Sequence, residues 1–279
     1  MFQRIQRRKA VAAVVGFAAG MMGGCRNAPA PGVEAPEIPP ASTFVIDFSD
    51  FEGDADGSKT IGLDPTAAQL GFDNWGFSAL NVGVWNAILT VGLAVPVAAF
   101  YESFNHEPDL QPDGTWIWSY TFHVAGILHA AELHGRIVGN DVEWDMFISR
   151  EGEYADFNWY SGVATLTRTE GTWTLNKDPQ DPVAFIDIEW RRDAETELGD
   201  IRYTNVEPGA AGAGGYIAYA VTGDETYDAS YAIYNAESSD LIEIEWNRST
   251  QAGRVHAPDH FGDDSWHCWD ENLQNVDCS

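Results

Sequence analysis

Thr115–Arg150, TWIWSYTFHVAGILHAAELHGRIVGNDVEWDMFISR, decides the fold, because its apolar residues recur at every second position. Trp116, Trp118, Tyr120, Phe122 and Val124 share one face, while Ile117, Ser119, Thr121 and His123 share the other. Successive side chains of an extended chain point to opposite faces, so period two marks a half-buried strand. Ala125-Gly126 and Gly139-Asn140 read as two-residue hairpin turns. Those turns set a register, with Trp118 opposite Leu133, Trp116 opposite Gly135, and Gly135 opposite Trp144. On the other face Arg136 meets Glu143 and His134 meets Asp145, with Ser119, His123 and Glu132 close by.

The same alternation continues through short runs as far as Leu241–Arg248, separated by turn signals such as Glu170-Gly171, Gly214-Gly215 and Gly223-Asp224. Many short strands joined by short links predict a mainly β protein. The expected form is an antiparallel meander of about ten strands, as a strongly curved sheet or a barrel. Phe44, Ile46 and Phe48 suggest one further strand ahead of it. IDIEWRR at Ile186–Arg192 is echoed by IEIEWNR at Ile242–Arg248. In each copy the isoleucines and the tryptophan face in, and the acids (Asp187 and Glu189, Glu243 and Glu245) face out. Outward acids discourage edge-to-edge pairing, and two matched carboxylate pairs are also candidates for acid–base or cation chemistry.

Between Asn74 and Tyr101 there is no charged residue. Pro96 and several glycines and asparagines interrupt the run, and no lysine or arginine lies between Lys59 and Arg136 to fix a membrane orientation. The expectation is a helical segment at about 75–104, packed on the sheet and buried on most sides. Pro96 should split it into about Phe77–Ala94 and Val97–Ser103.

With 43 acids against 15 bases and a formal net charge of −28, the chain repels phosphate backbones, which excludes nucleic acid as a partner. Its start, MFQRIQRRKAVAAVVGFAAGMMGGC, runs from a basic stretch through an apolar run to small residues, the layout of a signal peptide at 1–24. The end of that segment, Met22-Gly23-Gly24-Cys25, resembles the lipobox of bacterial lipoproteins. The resemblance implies cleavage before Cys25, a diacylglyceryl thioether on Cys25, and attachment to a membrane through acyl chains. Arg26 follows the cysteine rather than aspartate, which implies sorting to the outer membrane. Residues 25–42 hold five prolines and read as a tether, and 43–279 as a single β-rich domain.

Several residue sets carry candidate chemistry. Ser119, His123, Glu132, His134, Arg136, Glu143 and Asp145 form a candidate polar pocket wall, in which a His134–Asp145 pair has the make-up of a general base. Glu52, Asp54, Asp56 and Gly57 resemble the start of a calcium loop, although Leu63 stands where the EF-hand pattern wants Glu. The closing stretch, Gly253–Ser279, drops the alternation and reads as a coil. Its His256, Asp259, His260, Asp263 and His267 are candidate metal ligands, and Asp264 lies among them. Setting Cys25 aside leaves Cys268 and Cys278, which export favours as a disulfide. Motifs for an activated serine, a zinc protease or a phosphate loop do not occur. The functional expectation is a non-enzymatic, lipid-anchored envelope protein with a ligand-binding or structural role. Its partner would be a small apolar or amphipathic molecule or an envelope protein. The alternatives are a glycan-active hydrolase working through carboxylates and a calcium-binding surface module. No resident cofactor is expected, with Ca or another divalent cation as the one candidate.

Overall fold

The computed structural model describes residues 34–51, 74–196 and 198–278. The signal segment, Cys25, the first part of the tether and the acidic loop with Glu52, Asp54 and Asp56 lie outside the described residues. The remaining chain forms one antiparallel sheet whose spatial order is its sequence order. Its strands are β1 (Asp109–Leu110), β2 (Trp116–Val124), β3 (Ile127–Val138), β4 (Asp141–Arg150), β5 (Tyr154–Thr165), β6 (Glu170–Asp178) and β7 (Asp181–Arg192). They continue with β8 (Gly199–Asn205), β9 (Tyr216–Val221), β10 (Ala229–Asn235), β11 (Asp240–Trp246), β12 (Gly253–His256), β13 (His267–Trp269) and β14 (Asn275–Val276).

The meander is therefore as expected, but its strand count and closure are corrected. Among the described residues there are 14 strands rather than about ten. The extra ones are mostly two to four residues long, too short to leave a period-two signal. Residues 253–278, expected as coil, carry three of them. Nor does the sheet close into a barrel, since β1 pairs with β2 alone and β14 with β13 alone. Two helices occupy the gap, one end packing on β12 and β13 and the other on β2.

The register of β2–β4 matches the sequence reading residue for residue: Trp116↔Gly135, Trp118↔Leu133, Gly135↔Trp144, His134↔Asp145 and Arg136↔Glu143. Ala125 and Gly126 both take positive φ, as a type I′ turn requires. Extended across neighbouring strands, one inner row reads Trp116, Gly135, Trp144, Gly162, Trp173. Strands lie about 4.8 Å apart, too close for indoles to stand side by side, and the glycines leave room for rings, Trp144 over Gly135 and Trp173 over Gly162. A Cβ at Gly162 would come within 2.4 Å of the Trp173 ring and 2.3 Å of the Thr172 carbonyl.

Two elements cover this inner face. The first is residues 34–51, a hook with 3-10 turns at Ala41–Thr43 and Ser49–Phe51 in place of the expected strand. Its polar groups find side-chain donors instead of a ladder. Trp173 Nε1 donates to the Thr43 carbonyl (3.2 Å), Tyr203 Oη to that of Phe44, and Tyr231 Oη to that of Asp47. Trp246 Nε1 donates to Asp50 Oδ2 (2.9 Å). Phe44, Ile46, Phe48 and Phe51 are buried against the sheet, and packing already begins at Ala35.

The second cover is the uncharged segment, which forms α1 (Asn74–Gly92) and α2 (Ala94–Ser103), bent by 72° at the break. The break falls slightly earlier than expected because Pro96 has no N–H to offer the carbonyl four residues back, that of Gly92. Pro96 itself sits in the first turn of α2, where a missing N–H costs nothing. Burial on most sides is also corrected: Val84, Ala87, Ile88 and Val91 face outward. Among the described residues, no single helix is long and apolar enough to cross a membrane.

Candidate functional site

The predicted polar face lies on the outer side of the sheet, away from hook and helices. Arg136 and Glu143 form an exposed ion pair at 2.6 Å. His134 and Asp145 stand opposite each other in register, yet each has another partner. His134 Nε2 lies 3.1 Å from Glu132 Oε2, and Asp145 Oδ1 accepts from Asn158 Nδ2 at 3.1 Å. Ser119 and Glu132 border a shallow depression with Ser149 and Asp156, while His123 is exposed near the end of β2. The arrangement is that of cross-strand pairs on a solvated face rather than a carboxylate orienting an imidazole.

The matched carboxylate pairs also face outward, on strands that are four steps apart in the sheet. Asp187 accepts from Thr174 at 2.8 Å. Glu243 lies 3.1 Å from His256, and Glu245 pairs with Arg254 at 2.6 Å. Glu189 borders a polar depression of about 590 Å³ with Asp141, Glu170, Asp200, Arg191 and Arg202.

The closing segment divides the candidate metal ligands among separate jobs. Both ring nitrogens of His256 are engaged, with Glu243 at 3.1 Å and Asp264 at 2.9 Å. The Asp264 hydrogen bond, supported by that of Glu243, raises the His256 pKa above the ordinary imidazole value. His267 meets Asp263 at 3.2 Å and stacks on Phe261, with ring centroids 3.8 Å apart. The Asp263 carboxyl is lowered by the Ser265 amide and by His267. His260 stacks on Phe77 of α1 at 3.9 Å. Asp259 is exposed in the short helix α3 (Pro258–Phe261). Among the described residues, no three or more His, Cys, Asp or Glu side chains gather as a metal set.

Cys268 and Cys278 are joined in a disulfide. The bridged tail grips the start of α1, where Asn74 Nδ2 donates to the Cys268 carbonyl at 2.8 Å and the Asn74 amide donates to Asn275 Oδ1 at 2.9 Å. Sequence reasoning did not single out Asn74. Its one available signal was an Asn at the start of an apolar helical run, the residue type that satisfies unpaired groups at helix ends.

A concave site that the sequence did not reveal lies where the hook passes α1 and α2. This groove of about 450 Å³ has Phe44–Ser49 on one side and Asn86, Leu89, Thr90, Leu93, Ala94 and Val97 on the other. Phe44, Ile46, Leu89 and Leu93 are buried, while Asp47, Ser49 and Thr90 are exposed. The floor is thus apolar and the rim polar. Tyr203 closes one end, its phenol held neutral because burial pushes its pKa far above the ordinary value. Such a surface can sort a molecule by its two ends.

Comparisons with protein-family models, with curated proteins and with solved structures find no match to the chain.

Proposed function

We propose that the chain is a lipid-anchored protein of the cell envelope that binds a small apolar or amphipathic molecule without transforming it. The observation that carries this reading is the groove between hook and helices, with its apolar floor and polar rim. Its volume falls within the range of ordinary small-molecule sites, which are mostly apolar with a few placed polar groups. The lipobox resemblance supplies the membrane partner, through acyl chains on Cys25, and Arg26 supports the outer membrane as its destination. Hydrolysis of a glycan has weaker support. It needs two carboxyls within about 10 Å of each other across one bond. Within each of the β7 and β11 pairs the acids lie about 7 Å apart along one strand, but three of the four already have partners on the solvated outer face.

The test is a titration with cis-parinaric acid methyl ester, read by energy transfer from the protein's indoles. One probe should bind per chain. Val97→Trp, which fills the groove from a half-buried position, should weaken binding about tenfold or more with unchanged circular dichroism. Equal binding by that variant would sink the groove as the site.

A further inference from the structure

Helix α1 buries one side and bares the other, where Val84 and Ile88 also wall a groove of about 440 Å³ with Phe185, Ile233 and Asp240. Val84, Ala87, Ile88 and Val91 follow the i, i+3, i+4, i+7 spacing that makes a single stripe on a helix. Val84 is 50%, Ile88 44% and Val91 82% exposed. The stripe ends at an elbow, since Thr90, Val91 and Gly92 are all exposed just before the 72° bend. In a chain carrying 43 acids, this helix has none, and no base either. An uncharged apolar stripe whose end at Val91 is the most exposed large apolar side chain among the described residues marks an interaction face.

We propose that this stripe seats on the surface of the lipid bilayer. The inference rests on the lipid-anchor reading of Cys25. From Cys25 to Ala35, the first residue packed against the core, the chain reaches at most about 36 Å when fully extended. An acylated protein on so short a leash meets the membrane at high effective concentration, so even a weak apolar contact is occupied. A second copy is the poorer occupant, because two chains cleaved before Cys25, each with 11 bases against 43 acids, repel each other, whereas a zwitterionic surface carries no net charge. The stripe then enters the headgroup–acyl boundary to a depth of about 5–10 Å, as interfacial helices do. The opposite side of the same helix presents Asn86, Leu89 and Thr90 to the groove, so seating holds the groove one helix diameter, roughly 10 Å, from the bilayer surface.

The experiment uses the acylated full chain in phosphatidylcholine vesicles. A bimane label is placed at Val91→Cys or, as a control on the outer face of β2, at exposed Thr121→Cys. Lipids brominated on their acyl chains quench a label that reaches them. Quenching at 91 is expected to exceed that at 121 by about threefold or more, and to fall when a third of the lipid is phosphatidylglycerol. Equal, weak quenching at both positions in protein that floats with the vesicles overturns the seat, whether a second copy or residues 52–73 cover the stripe instead. Protein that fails to float overturns the anchor itself, and the seat falls with it. Flotation and quenching thus separate the two failures.

Discussion

The start and the end of the sheet are built on different principles. Strands β2–β6 run nine to twelve residues each and interlock through the row Trp116, Gly135, Trp144, Gly162, Trp173. Strands β12–β14 run four, three and two residues and have little ladder to rely on. They keep one tryptophan–glycine contact, Trp269 over Gly253, and otherwise depend on cross-links. These are the Cys268–Cys278 bridge, the Asn74 clasp, and His256 held between Glu243 and Asp264. Long strands specify their partners by side-chain shape over many residues. Short ones need bonds to distant parts of the chain, because a two- or three-residue pairing returns too little for the entropy of ordering it.

Three perturbations sharpen that contrast. The largest effect is expected from Trp173→Ala, which empties the β6 end of the tryptophan row, where Phe44, Phe100 and Tyr160 all pack on the ring. A loss of about 3–5 kcal/mol is expected, read as a thermal midpoint lower by roughly 10 °C. A shift under about 2 °C would mean the row is not what holds the sheet. Next comes the double change Cys268→Ser with Cys278→Ser, expected to cost about 2–3 kcal/mol. Hydrogen exchange should speed up in β13, β14 and the first turn of α1 and leave β2–β6 protected. Equal loss of protection in β2–β6 would erase the distinction between the two ends.

The smallest effect concerns pH. The folded-state pKa of His256 is raised by Asp264 and Glu243, so folding favours its charged form. That contribution is present in full below the ordinary imidazole pKa of about 6.5. It fades as pH climbs through the higher folded value. Exposed ion pairs are worth well under about 1 kcal/mol, so the readout is local: exchange in β12 and β13 should quicken between about pH 6 and pH 8. His256→Gln should flatten that profile, and an unchanged slope would take His256 out of the account.

How much of this was legible varied with the distance between partners. The β2–β4 register could be read to the residue, because two-residue turns leave no freedom and a slip of one would turn every tryptophan to solvent. The inward and outward sides of IDIEWRR and IEIEWNR were legible for the same reason. The hook was not. Its alternating Phe44, Ile46 and Phe48 imitate a strand, but its carbonyl partners are phenol and indole groups 130 to 184 residues away. The groove was illegible too, since it is assembled from that hook and from helices some forty residues downstream, with no motif in either. The disulfide was legible by counting cysteines and the break near Pro96 by proline chemistry. The bare side of α1 was not, because an apolar helix looks the same whether its second face meets protein or something else.

The hook has a consequence for the order of assembly. It comes first in the chain, yet it is fastened by Trp173, Tyr203, Tyr231 and Trp246, the last of these 196 residues beyond its partner Asp50. A chain synthesised amino end first must leave this segment unfastened while the whole meander is laid down behind it. Closing such long loops is slow, and until it happens the aromatic face has no lid. The beginning of the protein is therefore among the last parts to be finished, and the carboxyl-terminal strands set the moment at which the face beneath it is sealed from water.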